Sequence, residues 1–342
     1  MSKVTIYTLA KELNMTPSMV SRAFSPSARI SEDKRKLVLD AARKYDFSPN
    51  KLASRLSMKP IRIGVLINSR FSINSDKMIS AIKEIHAELE DYKIQYDITL
   101  LNQSKSSFED VRKTLEQYKT YDGIILTGMS SAIYTELINE LYAANPNVVQ
   151  VQAQNSEASC LFASKHNECT ASALAAEFLA NCFKRADRKN ILLFTGDLTS
   201  ALHSSAQKAF KNSCDALGLN LLSCVDMKDS DEYFKSVISE VFERYGDSTD
   251  GIYITSGMSS VLCKYLEDNR LDIPLVAFDT YEEIKEYMEK GIISATIAQN
   301  VSNQMKTAFE LLVKHIMTGE KCPPVVYTDV QLVLKSNMHQ FN

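Results

Sequence analysis

The residues best suited to chemistry near the start of this sequence are short polar side chains beside an arginine. Thr16 followed by Pro17 is a strong helix start, because the hydroxyl can cap free backbone N–H groups and proline lacks the N–H that would go unpaired. In the helix that follows, Ser18, Ser21 and Arg22 are left with Pro17 on the outer face. Such groups on the N-terminal part of a helix can reach base edges in the major groove of DNA.

A second candidate group lies far along the chain, where Asp279 follows the apolar strand candidate Leu275–Phe278. A carboxylate at the carboxyl end of a strand can accept hydrogen bonds from two hydroxyl groups of a sugar. The alternative is that Asp279 only caps a turn, so this residue indicates a ligand site without fixing it.

Three short helices are predicted to position the first group. In the first helix, apolar residues recur at i, i+3, i+4 and i+7 from Ile6 to Leu13, and Thr5 stands where it can cap that helix. Asn14 and Met15 then interrupt the pattern. The spacing therefore predicts one helix that ends just before the polar helix described above.

The second and third helices are predicted to complete a minimal core. Ser31 is predicted to cap the third helix, and Glu32 and Asp33 fall in its first turn, where they oppose the helix dipole. The residues predicted to face inward are Val20, Ala23, Phe24, Leu37, Val38, Ala41, Ala42 and Tyr45. Such a bundle could be purely structural, but its outer face would then not need short polar residues beside an arginine.

The charge of the chain is distributed unevenly. Residues 1–60 contain twelve Lys and Arg against five Asp and Glu, whereas the whole chain has a net charge of −3. A small basic segment on a large acidic body is typical of an electrostatic DNA anchor attached to a partner domain. The alternative is a solvated basic face on a helical cap.

Several classes of protein are disfavoured. The seven cysteines are scattered without a CxxC pair, so we expect reduced thiols, no disulfide framework and no metal site. The sequence lacks both GxGxxG and GxxxxGK[ST], and no Ser/His/Asp arrangement has nucleophile-elbow spacing. We therefore expect no cofactor and no catalytic residues. No signal peptide or membrane-length apolar run is found, which predicts a cytoplasmic protein.

The run VTIYTLAKELNMTPSMVSRAF, the run ARISEDKRKLVLDAARKYDFSPNKLASRL and the later IRIGVLI carry a family resemblance. They resemble the LacI/GalR family of bacterial transcriptional regulators, nearly without gaps from Val4 to Leu56. The sequence departs from the family at Asp46, where the family usually has a helix-ending glycine. Because Asp enters the left-handed region less easily than Gly, that corner is expected to be slightly strained.

The resemblance implies double-stranded DNA as a partner, read by residues 17 and 18 and by Arg22, which we expect to contact a guanine. It also implies a hinge at residues 50–60 that becomes helical on DNA and inserts Leu56 into the minor groove. Two such hinges require a homodimer and a pseudo-palindromic operator. The alternative is a plain linker. The complete set of predicted DNA-binding residues is Thr5, Tyr7, Thr16, Pro17, Ser18, Ser21, Arg22, Ser31, Asn50, Ala53 and Leu56.

From Ile61 onward, short apolar strands alternate with amphipathic helices, which predicts parallel α/β sheets. The predicted strands are Ile61–Ile67, Ile94–Leu101, Gly123–Thr127, Val148–Gln152, Ile191–Thr195, Leu221–Val225, Gly251–Thr255, Leu275–Phe278 and Ala295–Ala298. The helices between them include Asp76–Leu89, Val111–Tyr118, Cys169–Lys184, Gln207–Leu217, Tyr233–Tyr245 and Ser302–Thr318.

An internal repeat indicates two similar lobes. The run DGIILTGMSS from Asp122 recurs from Asp250 as DGIYITSGMSS, with one residue inserted. The predicted fold class is thus a small all-α helix-turn-helix headpiece followed by a two-lobed, doubly wound α/β body. By the family resemblance this body is similar to type I periplasmic sugar-binding proteins, in which the chain crosses three times between the lobes.

The expected division of the chain is a headpiece at 1–49, a hinge at 50–60 and an effector-binding and dimerisation domain at 61–342. Within that domain, we expect one lobe at 61–160 plus 295–320 and the other at 161–294 plus 321–342. Open parallel sheets bind ligands at the carboxyl ends of their strands, so the effector is expected between the lobes.

The resemblance also implies an effector site, although each of its residues could instead be a cap or turn residue. The residues at matching positions are Asn68, Ser72, Gln152, Thr255, Asp279 and Gln299. Within this effector site, the sequence departs from the family pattern in three places. Ala206 stands for an arginine that grips the effector, Ala209 for a glycine and His166 for an acidic residue. His203 and Lys208 are the alternatives to the arginine, but both are expected at the surface.

These patterns predict a DNA-binding repressor gated by a small sugar or polyol, through a shift between two conformational states. One alternative keeps the DNA-binding head but makes the body a docking platform for a protein co-effector. Another is an enzyme that uses the cleft, which would need a catalytic constellation that the sequence does not provide.

Overall fold

The computed structural model describes residues 5–24, 30–45, 47, 59–69, 72–103, 105–183 and 189–341. Residues 1–60 with 89–94 form one unit of the chain, and residues 61–88 with 95–342 form the other. Four residues singled out in the sequence, Asp46, Asn50, Ala53 and Leu56, lie outside the described residues. The hinge and its leucine wedge therefore stay predictions.

Three helices are described in the first unit: α1 (Ile6–Glu12), α2 (Pro17–Ala23) and α3 (Glu32–Lys44). Two of the predicted caps are confirmed. The Thr5 side chain accepts a hydrogen bond from the Thr8 backbone N–H in a reciprocal capping box, and the Thr16 side chain accepts one from Met19. Ser31 occupies the N-cap position of α3, but its side chain makes no capping hydrogen bond there.

The core of this unit is formed by Leu9, Ala10, Val20, Ala23 and Val38. Leu37, which was predicted to face inward, is instead 51% exposed. The inward stripe of α3 contains residues 38, 41, 42 and 45. Because successive helical residues are rotated by about 100°, Leu37 falls outside that stripe.

Two six-stranded sheets form the second unit. The first has the spatial order β11-β5-β4-β3-β1-β2 and comprises β1 (Ile61–Asn68), β2 (Ile94–Leu101), β3 (Gly123–Thr127), β4 (Val148–Val151), β5 (Phe162–His166) and β11 (Val325–Thr328). The second has the order β12-β10-β9-β8-β6-β7 and comprises β6 (Asn190–Thr195), β7 (Asn220–Asp226), β8 (Gly251–Ile254), β9 (Leu275–Phe278), β10 (Ala295–Gln299) and β12 (Val330–Val333). The described neighbours pair in parallel, except that β12 runs antiparallel to β10.

Helices cover the sheets. They are α4 (Ser72–Glu88), α5 (Phe108–Tyr118), α6 (Thr135–Ala144), α7 (Glu168–Cys182), α8 (Ala201–Leu217), α9 (Asp231–Tyr245), α10 (Ser259–Asp268), α11 (Glu282–Glu289) and α12 (Val301–Thr318). In β6, Leu192 and Phe194 belong to one buried cluster, whereas Ile191 and Leu193 belong to another. The second sheet is thus apolar on both faces, as expected for parallel strands covered on both sides.

The prediction of the strands was largely correct. All nine predicted strands are confirmed, each with ends within one residue of the expected positions. The prediction omitted β5, β11 and β12. β5 is a five-residue strand that ends in Lys165 and His166, while β11 and β12 are four-residue strands at the sheet edges. Such short strands carry little periodic signal.

Sheet membership corrects the expected lobe boundaries at 160, 294 and 320. β5 belongs to the first sheet and β10 to the second, so the chain changes lobe after each of these strands rather than before it. The segment after 320 supplies β11 to the first sheet and β12 to the second. The chain passes three times between the lobes, as expected, but each crossing follows the carboxyl end of a strand.

Candidate ligand-binding cleft

A cavity of about 290 Å³ lies between the two sheets. It is lined by residues at the carboxyl ends of strands in both lobes, which is where open parallel sheets bind ligands. The lining residues expected from the sequence are Asn68, Gln152, Thr255, Asp279 and Gln299. Ser72 is the exception, because it begins α4 as an exposed residue and is not part of the lining.

Asp279 follows β9 and adopts a left-handed backbone with φ of 70°. Its backbone N–H donates to Ile297 O at 2.8 Å, and Thr296 Oγ1 donates to its carbonyl at 2.6 Å. The strained conformation is thus fixed by β10, the neighbouring strand. As a result, the carboxyl side chain lines the cavity between the lobes.

The Asp279 carboxylate accepts two hydrogen bonds on the same oxygen. Tyr281 Oη donates to Oδ2 at 2.7 Å, and Gln299 Nε2 donates to it at 3.3 Å. Burial raises the pKa of Asp279 to about 6, although these two hydrogen bonds and the charge of Lys77 oppose the rise. The group is therefore a carboxylate at neutral pH that has lost much of its water and benefits from every added donor.

The other expected residues offer uncharged hydrogen-bonding groups. Asn68 donates from Nδ2 to the carbonyl of Gly128 at 3.3 Å, while its buried Oδ1 has no partner. Thr255 donates to Thr195 at 3.0 Å, and Gln152 has φ of 71°. An unpaired buried oxygen is costly, so the Asn68 amide is suited to accept a donor from a ligand.

Sequence reasoning missed or misassigned other lining residues, of which four bear most on the chemistry of the cavity. His203 was expected at the surface, but it is buried and its Nε2 lies 3.4 Å from Asp229 Oδ2. His166 is buried against Phe278, and burial lowers the pKa of its imidazole. Asn74 and Tyr281 were not predicted at all. Their roles depend on contacts between distant segments, which no local pattern reveals.

The outcome for the departures from the family pattern is mixed. Ala206 lines the cavity, so the position of the missing arginine does face the ligand space. Lys208 is exposed, as expected. Among the described lining residues, the charged groups are the carboxylates Glu168, Asp197, Asp229 and Asp279, with no lysine or arginine. Glu168 is itself paired with Lys165 at 2.8 Å.

The two lobes contact each other at two places in the lining of the cavity. At the first, Ser130 Oγ lies 2.9 Å from Ser200 Oγ, and Ser131 forms an isolated antiparallel bridge with Ser200. At the second, Asn74 Nδ2 in the first lobe donates to Tyr281 Oη in the second at 3.0 Å. These contacts join the lobes across the cavity.

The periplasmic binding protein domain family matches residues 66–321, which include most of both sheets but neither β11 nor β12. The chain belongs to this family. Similar proteins of known structure include a glucose-galactose binding protein from Geobacillus stearothermophilus, which is 19% identical with a TM-score of 0.72 and covers 82% of this chain and 99% of its own. At this identity, the likeness concerns the fold alone.

Two further similar structures are described as those of transcriptional regulators. A LacI transcriptional regulator from Bacteroides fragilis is 17% identical with a TM-score of 0.68, and the match covers 83% of this chain and 100% of that one. The lac repressor dimer bound to operator and the anti-inducer ONPF is 17% identical with a TM-score of 0.65, and the match covers 97% of this chain and 98% of that one.

A relative in sequence is catabolite control protein A of Streptococcus mutans. It is 30% identical over 131 residues, a match that spans 36% of this chain and only 37% of the relative. The relatives and similar structures named here are thus sugar-binding proteins and regulators. In the described part of the chain, no helix is both long enough and apolar enough to cross a membrane.

The candidate DNA-binding residues of the first unit are at its surface where they are described. Ser18, Ser21 and Arg22 are exposed on α2, and Pro17 is half-buried. Thr5, Tyr7, Thr16 and Ser31 are exposed as well, Tyr7 by 72%. Arg35 of α3 donates to the carbonyl of Ala23 at 3.1 Å, which fixes the end of α2 against α3.

Proposed function

We propose that this protein is a LacI-type transcriptional regulator that binds a pseudo-palindromic operator as a homodimer and represses transcription under the control of a small sugar or polyol. The observation that carries the proposal is the extent of the structural matches. The glucose-galactose binding protein leaves part of this chain unmatched, whereas the lac repressor–operator complex covers 97% of it. The two coverages differ by 15% of the chain, which is close to the share of the sequence that residues 1–60 make up.

In this proposal the first unit is a helix-turn-helix headpiece. The exposed hydroxyls of Ser18 and Ser21 and the guanidinium of Arg22 enter the major groove, where an arginine can bind the O6 and N7 atoms of guanine together. The side chains of Thr5 and Thr16 cap their helices. We therefore assign these two residues to the DNA phosphates, which bind at the N-termini of helices. Asn50, Ala53 and Leu56 are assigned to the minor groove by family resemblance only.

The cavity supports a small, uncharged and hydroxyl-rich effector. Its volume of about 290 Å³ is at the small end of ligand sites. The Asp279 carboxylate and the unpaired Asn68 Oδ1 both need donors, which hydroxyl groups supply. Because Ala206 replaces the arginine of the family pattern, the effector is read without that bidentate cation.

The proposed mechanism is a shift in population between open and closed lobes. An effector that binds the closed state more tightly changes the spacing of the paired headpieces and thereby the affinity for DNA. A coupling free energy of about 1–3 kcal/mol is typical of such systems.

The proposal is tested by binding the full-length protein to randomised and genomic DNA at several salt concentrations. We expect selection of a pseudo-palindrome and an affinity that falls steeply with salt. Arg22→Ala should lower the affinity for the selected site about 10- to 100-fold and relax the base preference at one position per half-site.

The matched control is Arg43→Ala, which removes an exposed arginine of the same unit that pairs with Asp40 on α3. Its effect should be small and independent of sequence. A protein that ignores every fragment at low salt, or that loses no specificity in Arg22→Ala, would contradict the proposal. A thermal-shift screen with D-glucose, D-galactose, D-ribose and L-arabinose tests the effector class separately.

A further inference from the structure

A chain of hydrogen bonds connects the first lobe to the candidate ligand carboxylate of the second. Asn74, near the start of α4, donates from Nδ2 to Tyr281 Oη at 3.0 Å. Tyr281 donates from the same hydroxyl to Asp279 Oδ2 at 2.7 Å. All three side chains are buried, and 207 positions separate Asn74 from Tyr281 in the sequence. We call these three residues the relay.

The start of α4 is a contact between the lobes in its own right. Ile73, next to Asn74, packs against the buried cluster of the second lobe. The rest of α4 packs on α12, which lies against β3, β4 and β5 of the first sheet. Opening of the cleft must therefore withdraw Ile73 and Asn74 from the second lobe, and with them the donor to Tyr281.

The geometry at Asp279 leaves one oxygen for a ligand. Tyr281 and Gln299 both donate to Oδ2. Oδ1 accepts no hydrogen bond from any of the described residues, although Asp279 lines the cavity. The relay thus holds the carboxylate by its inner oxygen and presents the outer oxygen to the cavity.

The relay also fixes the direction of the phenolic proton. A phenol has one O–H donor, and its oxygen can also accept. When the Asn74 amide donates to that oxygen, the O–H is directed to Asp279, and a donor chain of this kind strengthens each hydrogen bond in it. In the open cleft, Tyr281 lacks the Asn74 donor and its hold on Asp279 weakens.

We propose that Tyr281 is a positioning residue that couples closure of the lobes to ligand recognition by Asp279. The inference rests on the proposed ligand-binding role of the cleft. Closure inserts Asn74, which orients the Tyr281 hydroxyl, which in turn orients the carboxylate. By reciprocity, a ligand that requires the oriented carboxylate favours the closed lobes.

The first test needs no ligand. Hydrogen–deuterium exchange of the full-length protein, measured on peptides that cover 72–78, 128–134 and 197–204, reports how often the cleft opens. Tyr281→Phe and Asn74→Ala should each accelerate exchange there about fivefold, the effect of one lost hydrogen bond on an opening equilibrium. The double variant should exceed neither single variant, because both remove the same relay.

Tyr118→Phe is the matched control. It also removes a buried phenol, one that donates to Val65 O at 3.1 Å inside the first lobe and does not line the cavity. Its exchange at the three peptides should match that of the wild type. Unchanged exchange in Tyr281→Phe, or multiplied effects in the double variant, would overturn the proposal.

A second test distinguishes positioning from simple support. Calorimetric titrations with D-glucose, D-galactose, D-ribose and L-arabinose should be run between about pH 5 and pH 8. Loss of the Tyr281 hydroxyl removes a donor to the carboxylate, so the pH below which a sugar binds weakly should move upward in Tyr281→Phe. Lys77 of α4, whose charge also acts on Asp279, and Tyr253, whose pKa the charge of Asp279 raises, are unchanged in this variant. The buried imidazole of His166, which packs against Phe278, is unchanged as well.

An unshifted pH profile in Tyr281→Phe would overturn the positioning role. If none of the four sugars binds the wild type, the proposed effector class fails, but the exchange experiment still decides the inference. The two failures are therefore distinguishable.

Discussion

The two lobes begin their central strands in the same way. In the first lobe, Asp122 Oδ2 accepts a hydrogen bond from the Arg62 backbone N–H at 2.8 Å, and the Asp122 N–H donates to the Arg62 carbonyl at 2.9 Å. In the second, Asp250 makes the equivalent pair of bonds with Asn190 at 3.0 and 2.8 Å. The repeated Asp-Gly dipeptide thus ties β3 to β1 and β8 to β6.

The same two strands end differently. In the first lobe, Thr127 is followed by Gly128 at φ of 66°, and Ser130 and Ser131 reach the cleft rim. In the second, one inserted residue lets α10 begin at Ser259, which is buried. The amino ends of the strands therefore keep the shared fold, while the carboxyl ends have diverged to build the cleft.

The largest expected effect is at the end of the first copy. An added Cβ at Gly128 would overlap the carbonyl oxygen of Asn68, and the backbone is left-handed there. Gly128→Ala should therefore lower the free energy of unfolding by about 4 kcal/mol, measured by denaturant titration. Gly291→Ala is the control, since φ is 81° but nothing lies within 4 Å of the added Cβ, and it should cost only about 1 kcal/mol. Equal losses would show that the close approach to Asn68 is unimportant.

A carboxylate at the cleft should reduce stability. The folded pKa of Asp279 is raised from 3.8 to about 6, so the stabilising contribution of this group is present below pH 3.8 and is lost as the pH rises through 6. Asp279→Asn removes that loss and should raise the free energy of unfolding above pH 7 by up to about 3 kcal/mol. The same variant should weaken sugar binding. If Asp279→Asn were no more stable than the wild type at pH 7.5, the destabilising effect assigned to the Asp279 carboxylate would be contradicted.

At the amino ends of the strands, carboxylates should stabilise the fold, in contrast to the carboxylate of Asp279 at the cleft. Asp122→Ala and Asp250→Ala each remove an acceptor from a backbone N–H and should each lower the free energy of unfolding by about 1 to 2 kcal/mol. Because the two sites are equivalent, the losses should agree. A loss at only one site would show that the repeat is a likeness of sequence without a shared role.

The smallest expected effects on stability concern Thr127 and Thr255, which occupy equivalent positions in the two copies of the repeat. Thr127 Oγ1 is buried without a partner, whereas Thr255 Oγ1 donates to Thr195 at 3.0 Å. Thr127→Val should raise the free energy of unfolding by about 1 kcal/mol, because it removes an unpaired polar group. Thr255→Val should lower it by a similar amount. Changes of the same sign in both variants would remove this distinction between the lobes.

Most of the fold could be predicted because its signals are local. The caps at Thr5 and Thr16 depend on residues a turn away, and the nine predicted strands are short apolar runs. The edge strands β11 and β12 could not be found in this way, because they owe their pairing to β5 and β10, far away in the sequence. α8 starts at Ala201, six residues before the predicted start at Gln207, and its first turns contribute Leu202, His203 and Ala206 to the cavity lining. These turns lack a regular apolar pattern, so the sequence did not reveal them.

The site was predicted where a residue follows an apolar strand. Asp279 and Gln299 stand at such positions, and both line the cavity. Asn74 was not recognised and His203 was expected at the surface, since each lies in a helix whose orientation toward the cavity is set by tertiary packing. Ser72 was misplaced by only two positions, but on a helix two positions turn a side chain away by about 200°.

The segment from Val325 to Val333 supplies an edge strand to each sheet, with only Asp329 between them. This segment therefore connects the two lobes as part of both sheets. Truncation of the chain before β11 would remove an edge strand from each sheet at once, so neither lobe is a self-contained module. Any rotation between the lobes must also be absorbed by the backbone torsions of a single residue at this point, which restricts the paths along which the cleft can open.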